Sequence, residues 1–334
     1  MNVLVFPCGS EIGLEIHNAL KYNKDFSIFG GSSVDDHGKF VYKNYIDGFP
    51  NIHENGFIGY LNKIINKYEI DFLYPAHDDV ILKCSNHRDE INVEIIIPDE
   101  KTAKIARSKK KTYEFFKNED FTPKVYEKEI FSELLDSNDY PIFLKPDIGQ
   151  GSKGVAIANN YEELVFLIEN NPNLIAVEYL PGKEYTIDCF SQDGELLFVG
   201  ERERIRVKDG ISVNATTLDV KSEIREIALK INSKLNFKGA WFFQVKLDKN
   251  NKYKLLEIAP RIAGTMALHR NKGINFPLLT LYLFYNQLKS KSLGNNINSN
   301  SNINSNSNIN SNSNINSNSN INSNSNINSN SNIN

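Results

Sequence analysis

The first part of the chain alternates between short apolar runs and segments in which apolar side chains recur at helical spacing. Asn2–Phe6 is an apolar run, and Glu11–Leu20 follows it with isoleucine, alanine and leucine placed as on one face of a helix. The alternation continues to about residue 98, with strands predicted at 26–29, 72–74 and 94–97 and a helix at 56–68. Strands that alternate with helices favour a parallel, doubly wound α/β sheet over residues 1–100.

From residue 101 to 290 the pattern changes to runs of strands with fewer helices. A helix is predicted through Phe116, and 140–146 is a predicted strand that leads into a glycine-rich loop. This pattern favours an α+β domain with antiparallel sheets. The remaining predicted elements are helices at 161–169 and 222–235 and strands at 174–180, 185–191, 196–207, 241–247 and 253–258.

The segment 291–334 is a low-complexity repeat of Asn, Ser and Ile with a six-residue period. One isoleucine in each repeat buries too little area to offset the ordering of the backbone, so we predict a disordered tail. A short β-solenoid rung or an aggregation-prone polar tract is the competing interpretation, because asparagine ladders favour stacked strands.

Composition narrows the class of function. The formal net charge is −3 over 334 residues, which offers neither the basic surface of a nucleic-acid binder nor a polybasic membrane anchor. No signal peptide is recognised at the start, and no apolar run is long enough to span a bilayer. Cys8, Cys84 and Cys189 lie far apart, without metal-site spacing, and fit reduced thiols. We expect a cytoplasmic protein that acts on small molecules.

The glycine-rich loop at 147–154 is the strongest local signal. Lys145 stands at the end of the preceding strand, and Lys153 lies near the far end of the loop. Glycines let backbone amides approach phosphate oxygens, and lysines supply positive charge, so the loop predicts phosphate binding. It is not a Walker loop, because its lysine precedes the glycines. An ordinary hairpin turn is the competing interpretation of the loop taken alone.

Two further motifs give the loop a context. Val177-Glu178-Tyr179-Leu180-Pro181-Gly182 follows about thirty residues after it, and Leu255-Leu256-Glu257-Ile258-Ala259-Pro260-Arg261 closes the last predicted strand. With these motifs in this order, the chain resembles the ATP-grasp superfamily over roughly residues 2–285, nearest to the carbamoyl-phosphate synthase large chain and single-module carboxylate-amine ligases. The resemblance implies a Rossmann-like N-terminal domain followed by a two-subdomain ATP-grasp fold that holds ATP.

The resemblance also implies the residues that bind the nucleotide. Phosphates would meet Lys109, Lys145 and a lid over residues 150–154, the adenine edge would meet the 178–180 segment, and Glu184 would hold the ribose. The implied set is Lys109, Lys145, Gln150, Gly151, Ser152, Lys153, Gly154, Glu178, Tyr179, Leu180 and Glu184.

By the same resemblance, Gln244 and Glu257 would bind Mg²⁺ or Mn²⁺, and Arg261 and Lys145 would act on the transferring phosphoryl group. Oxygen ligands suit a hard cation, and phosphoryl transfer depends on positioning and charge neutralisation. Two positions depart from the family pattern. Ser108 precedes Lys109 where relatives carry Asp, so Lys110 or Lys111 is an alternative, and Ala259 replaces a metal-binding Asn, as in the carboxyaminoimidazole ribonucleotide synthases.

Alternation over 201–207 would place three arginines, Arg202, Arg204 and Arg206, on one face of a strand. Guanidinium groups bind anions with two hydrogen bonds, so we interpret this face as a substrate contact, with Arg204 the best candidate. A solvated sheet face explains the same alternation.

Three weaker signals also have structural explanations. The run from Gly9 to Gly13 resembles an incomplete dinucleotide fingerprint, which relatives also carry without using it for a cofactor. His77, beside two aspartates, is interpreted as part of a polar loop that lines the substrate pocket. Met266, His269 and Arg270 either border the active site or pack a helix.

The predicted function is that of an ATP-dependent carboxylate-amine (or thiol) ligase, which forms an acyl phosphate and releases ADP and phosphate. Small-molecule carboxylate and amine substrates are the expected partners, with no nucleic acid and no membrane, and a homodimer is compatible with the pattern. The alternatives are carbonate or carbamate phosphorylation, as in carbamoyl-phosphate synthases, and a non-catalytic ATP-binding module. A single module lacks the duplicated second half of those synthases.

Overall fold

The computed structural model describes residues 1–135, 137, 139–149, 151, 153–208 and 210–301. The chain divides into two units, Met1–Leu288 and Lys289–Asn334, and all the residues discussed below as a site lie in the first. Two predicted lid residues, Gln150 and Ser152, and most of the predicted tail fall outside the described residues.

The N-terminal part builds a five-stranded sheet of order β3-β2-β1-β4-β5 in which every pairing is parallel. This agrees with the alternation of strands and helices in the sequence. The strands are β1 Asn2–Phe6, β2 Ser27–Gly31, β3 Asn44–Ile46, β4 Phe72–Pro75 and β5 Glu94–Ile95. The helices are α1 Glu11–Leu20, α2 Gly38–Val41, α3 Phe57–Lys67 and α4 Asp78–Asn86, followed by a 3-10 turn at Arg88–Glu90.

Both faces of the central strand are buried, which explains its uniformly apolar sequence. Val3 and Val5 belong to a core cluster that includes Ile16 of α1, whereas Leu4 and Phe6 belong to a separate cluster with α3. Ser10 caps α1 by accepting a hydrogen bond from a backbone N–H in its first turn. These contacts place the carboxyl ends of β1 and β4 at one edge of the sheet.

The rest of the described chain builds two antiparallel sheets, of orders β12-β11-β10-β13-β14 and β6-β9-β7-β8. Helix α8 packs on the five-stranded sheet, and α7 packs on the four-stranded sheet. The strands are β6 Val125–Tyr126, β7 Ile142–Pro146, β8 Ala156–Ala158, β9 Leu174–Glu178, β10 Glu184–Gln192, β11 Glu195–Lys208, β12 Ile211–Leu218, β13 Gly239–Leu247 and β14 Tyr253–Ala259. The helices are α5 Glu100–Arg107, α6 Lys109–Phe115, α7 Tyr161–Asn170, α8 Ser222–Lys234, α9 Ala267–Asn271 and α10 Phe276–Ser301, with 3-10 turns at Lys128–Leu134 and Gly264–Met266.

The last helix differs from the sequence prediction. α10 continues to Ser301, beyond the boundary predicted at residue 291. Buried Leu281 and Phe284 anchor its first turns, and extending an existing helix costs far less than nucleating one. Within the described residues, none of the helices has the length and apolarity needed to cross a membrane. All three cysteines are buried free thiols.

Candidate active site

A pocket of about 180 Å³ lies where the four-stranded and five-stranded antiparallel sheets meet. Its walls come from β7 and β9 on one side and from β10, β11, β13 and β14 on the other. Most of the residues that the sequence predicts for nucleotide, metal and substrate binding line this one pocket. They are Lys109, Lys145, Gly151, Lys153, Glu178, Tyr179, Leu180, Glu184, Arg204, Gln244 and Glu257.

Lys145 is held in the pocket wall by its strand. Ile142 and Leu144 of β7 are fully buried in the core, and the Lys145 ammonium donates a hydrogen bond of 2.6 Å to the Tyr113 hydroxyl. That hydroxyl in turn donates to the backbone oxygen of Leu256 at 2.7 Å. Burial, together with the charge of Lys109, lowers the pKa of Lys145 to about 7. Lys145 therefore exchanges its proton near neutral pH.

Lys109 approaches the pocket from the first residue of α6. Its ammonium lies 3.4 Å from the backbone oxygen of Asp147 and 3.3 Å from that of Gly149, so it contacts the base of the glycine loop. Lys110 and Lys111, the alternatives raised by the sequence, line a neighbouring groove instead of this pocket. Ser108 caps α6 by accepting a hydrogen bond from the backbone N–H of Lys111.

The predicted base contact Glu178 ends β9, the neighbour of β7, and the predicted ribose contact Glu184 begins β10 on the other side of the pocket. The carboxylate of Glu178 accepts a hydrogen bond of 2.9 Å from the backbone N–H of Lys124, and Leu180 is buried. Glu184, at the start of β10, pairs with Arg204 of β11. Arg204 also donates to the backbone oxygen of Gly210 at 2.6 Å, which ties the β11–β12 turn to the pocket.

The predicted metal ligands are neighbours across two strands. Gln244 of β13 and Glu257 of β14 are paired in register, and both line the pocket. No cluster of three or more His, Cys, Asp or Glu side chains suited to a metal exists among the described residues. One carboxylate and one amide oxygen fit Mg²⁺, which keeps several waters and takes further oxygens from bound phosphates.

Arg261 does not line this pocket; it is paired with the N-terminal part of the chain. Its guanidinium donates two hydrogen bonds, of 2.7 and 2.5 Å, to the carboxylate of Asp78 in the first turn of α4. Burial alone would raise the pKa of Asp78, but the guanidinium outweighs it and holds that pKa below its usual value. The adjacent Asp79 pairs through a single carboxylate oxygen with Arg107, two residues before Lys109.

The three arginines that the sequence predicts on one strand face lie in different surroundings. Arg202 is fully buried, where it pairs with Asp188 and bonds to Thr265, and it does not reach the pocket. The pairing register between β11 and β12 shifts on both sides of Arg206, whose side chain is exposed. These shifts interrupt the two-residue alternation only after Arg204, whereas Arg202 and Arg204 differ in their burial and partners. Of the three, only Arg204 lines the pocket.

The polar loop predicted around His77 is instead the start of α4, where the His77 ring accepts a hydrogen bond from the backbone N–H of Asp79. A Cβ atom on Gly13 would lie 2.5 Å from the backbone oxygen of Cys8, so tight packing accounts for this glycine. His269 bonds to buried Asp188 at 2.9 Å. Met266 is buried in the core, and Arg270 pairs with Glu15.

The sequence prediction did not single out Tyr113 or Asp147. Tyr113 contacts Lys145, and Asp147 accepts hydrogen bonds from the segment that carries Lys109. The signal for Tyr113 was its helical spacing from Lys109, which places both on one face of α6. Asp147 gave no signal, because its partners lie almost forty positions away in the sequence.

The chain is similar to known proteins in sequence and in fold. A family model described as "ATP-grasp in the biosynthetic pathway with Ter operon" matches residues 170–307. The arginine-specific carbamoyl phosphate synthase large chain of Bacillus subtilis is 27% identical over 169 residues, which are 47% of this chain and 16% of that protein. The chain thus spans only a small part of the length of this curated relative. The predicted resemblance to the ATP-grasp superfamily is confirmed.

Solved structures share the fold at low sequence identity. The biotin carboxylase domain of Hydrogenobacter thermophilus 2-oxoglutarate carboxylase, crystallised with MgADP and bicarbonate, superimposes with a TM-score of 0.69 at 16% identity, covering 85% of this chain and 69% of that one. An L-amino acid ligase from Bacillus licheniformis gives a TM-score of 0.64 at 17% identity, covering 84% and 73%. These likenesses establish an ATP-grasp fold of mixed α/β content.

Proposed function

We propose that this chain, which has the ATP-grasp fold, is an ATP-dependent ligase that activates a small carboxylate as an acyl phosphate. An amine then displaces the phosphate, and ADP and phosphate are released. The observation that carries the proposal is one pocket lined by Lys109 and Lys145, by residues of the glycine loop and by a pair of oxygen ligands suited to a metal. This combination suits phosphoryl transfer, because catalysis of that reaction rests on positioning and charge neutralisation.

The lysines are proposed to hold the nucleotide phosphates. Lys145 is buried and titrates near neutral pH, so an arriving polyphosphate favours its charged form and draws a proton onto it. Lys109 faces the base of the glycine loop, whose backbone amides are proposed to contact the same phosphates. Lys153 lines the pocket from the far end of that loop.

Gln244 and Glu257 are the residues that would hold magnesium. When bound there, the ion supplies positive charge beside the phosphates and reduces their electrostatic repulsion of the attacking substrate carboxylate. Ala259, at the end of β14, offers no side-chain ligand, so water and phosphate oxygens are left to complete the coordination. The cross-strand pairing of the two protein ligands fixes their separation before any ligand arrives.

The acceptor side of the reaction is proposed to involve Arg204 and Arg261. Arg204 lines the pocket, and Arg261 lies just beyond the end of β14, against α4.

We propose that the parallel sheet is a Rossmann-like domain. Its strand order changes direction between β1 and β4, and open α/β sheets bind ligands at such a point. The Asp78–Arg261 pair joins that edge to the antiparallel domain.

A second candidate is phosphorylation of carbonate or carbamate. The match to carbamoyl phosphate synthase large chains favours it, as does the bicarbonate with which the Hydrogenobacter structural neighbour was crystallised. The L-amino acid ligase among the structural neighbours favours carboxylate-amine ligation instead. A binding module without turnover is the third option, and Ala259 motivates it.

The proposal is tested by a screen for ADP release. The purified chain is incubated with Mg²⁺, ATP and pairs of small carboxylates and amines, with bicarbonate as one of the acids. The expected result is acid-dependent ADP formation, and hydroxylamine in place of the amine is expected to trap a hydroxamate. Lys145→Met is the inactive control. Formation of AMP and pyrophosphate would contradict the proposal, and ADP with bicarbonate alone would favour the second candidate.

A further inference from the structure

Asp147 connects the glycine loop to the start of α6 through its side chain. The Ser108 hydroxyl lies 2.8 and 3.0 Å from the two carboxylate oxygens of Asp147, and the backbone N–H of Lys110 donates to one of them at 2.8 Å. Ser108 is buried, so its hydrogen bonds to the Asp147 carboxylate are partly shielded from solvent. Hydrogen bonds to a charged carboxylate are stronger than neutral ones.

The main chain of Asp147 reinforces the connection from both sides. Its backbone oxygen accepts from the backbone N–H of Lys109 at 3.2 Å, and its own N–H donates to Asn173 at 3.2 Å, next to β9. The Lys109 ammonium folds back onto the same backbone oxygen and onto that of Gly149. Asp147 is therefore anchored to the four-stranded sheet and to α6 at once.

This arrangement determines the positions of two lysine ammonium groups. Lys145 lies on β7, two positions before Asp147, whereas Lys109 lies on α6 between the two groups that bond the Asp147 carboxylate. We infer that Asp147 is a positioning residue that fixes Lys109 opposite Lys145, so that both lysines reach one polyphosphate. The inference rests on the proposed nucleotide site and adds to it a residue that touches no substrate itself.

A purely structural role for Asp147 has a different consequence. If the carboxylate only caps α6, its loss lowers stability without altering the charge around Lys145. If it positions Lys109, its loss lets that cation move away, and the pKa of Lys145 rises toward that of a free lysine. The other groups that act on Lys145 are Tyr113 of α6, Glu184 of β10 and Glu257 of β14. None of these three groups forms a hydrogen bond with Asp147. Their effect on the pKa of Lys145 is therefore the same whether Asp147 caps α6 or positions Lys109.

The experiment measures the dissociation constant of MgADP by calorimetry from pH 7 to 9.5, where the phosphates of ADP are ionised. For the unchanged chain, the affinity is expected to fall as pH rises above 7, by at most about tenfold per pH unit, since binding must supply a proton to Lys145. Asp147→Asn is expected to weaken MgADP binding about tenfold at pH 7, because a charge-assisted contact is lost. The affinity of this variant is expected to start falling at a higher pH than that of the unchanged chain. Asp139→Asn, a surface carboxylate paired with Lys124, is the matched control.

A side-chain exchange gives a second, independent test. Asp147→Ser removes the carboxylate, Ser108→Asp sets two carboxylates against each other, and both single variants are expected to bind MgADP about tenfold more weakly. The double variant restores one hydroxyl and one carboxylate across the same contact, and it is expected to bind within about threefold of the unchanged chain. Should Asp147→Asn fail to fold, Ser108→Ala keeps the carboxylate and is expected to shift the pH profile less, in the same direction.

Two results would overturn the inference. One is a pH profile of Asp147→Asn that superimposes on that of the Asp139→Asn control, and the other is a double variant that binds no tighter than the single ones. Failure of the unchanged chain to bind MgADP at any pH would instead contradict the proposed function. The two failures are thus told apart by the unchanged chain alone.

Discussion

Arg261 and Asp78 form a two-hydrogen-bond ion pair between residues 183 positions apart in the sequence. Arg261 lies two residues beyond the strand that carries Glu257, and Asp78 begins a helix of the parallel-sheet region. The side chains are only 14% and 16% exposed, so each charge depends on the other for compensation. The pair therefore holds Arg261 in place before any substrate is present.

Asp78→Asn is expected to destabilise the fold by roughly 2 to 3 kcal/mol, because it leaves the Arg261 charge without its carboxylate in a mostly buried position. The free energy of unfolding in urea measures the change. Asp35→Asn is the matched control, since that carboxylate pairs with Lys39 at an exposed surface. If both variants lose equally little stability, the Asp78 pair is no stronger than a surface contact.

Stability without ligand is expected to depend on pH through Lys145. Its pKa of about 7 in the folded chain lies below the 10.5 of an ordinary lysine, so between these values the unfolded chain binds one proton more. Stability from this group therefore rises with pH across that window, by at most about 1.4 kcal/mol per pH unit, and is least below pH 7.

The comparison of the unchanged chain with Lys145→Met isolates this contribution. Urea unfolding of both proteins is measured at pH 6.5, 7.5 and 8.5, and the variant is expected to lose its stability advantage as pH rises. Parallel curves over this range would mean that Lys145 keeps its proton in the folded chain.

Glu257→Gln is expected to lower the rate of ADP formation about a hundredfold or more, while preserving the shape of the side chain. The reason is the loss of the one charged ligand in the Gln244–Glu257 pair. Initial rates at several Mg²⁺ concentrations are the measurement, and Glu223→Gln, on the exposed first turn of α8, is the control. A rate equal to that of the control would remove Glu257 from the metal site.

Arg204→Ala is expected to raise the KM for the acid more than the KM for ATP, if the guanidinium anchors substrate charge. Steady-state kinetics with each substrate varied in turn measure both, and Arg206→Ala, exposed and off the pocket, is the control. Equal increases in both constants would indicate that Arg204 acts on the nucleotide through its partner Glu184.

Local sequence patterns predicted the elements whose ends carry their own signals. β1 and α1 match the predicted bounds, because an apolar run ends at Pro7 and Ser10 caps the helix that follows. β12 was missed, because its mixed polar sequence is ordered by pairing with β11.

The site was predictable to the extent that its residues lie in ordered motifs. Lys145, Glu184 and Glu257 come together as the resemblance implied. The burial of Arg202 was not predictable, since it depends on Asp188 and Thr265, which are distant in sequence. Spacing along β11 makes Arg202 and Arg204 equivalent, and only the tertiary partners separate them.

The walls of the pocket come from two different sheets, so any ligand that fills it joins two parts of the chain mechanically. A nucleotide that binds only the folded chain raises the melting temperature, and at a hundred times its dissociation constant it stabilises the folded state by about 2.7 kcal/mol. The melting temperature therefore reports whether the pocket is occupied, even when no reaction takes place. A library of acids and amines, scanned by melting in the presence of MgADP, can rank candidate substrates before the reaction itself is known.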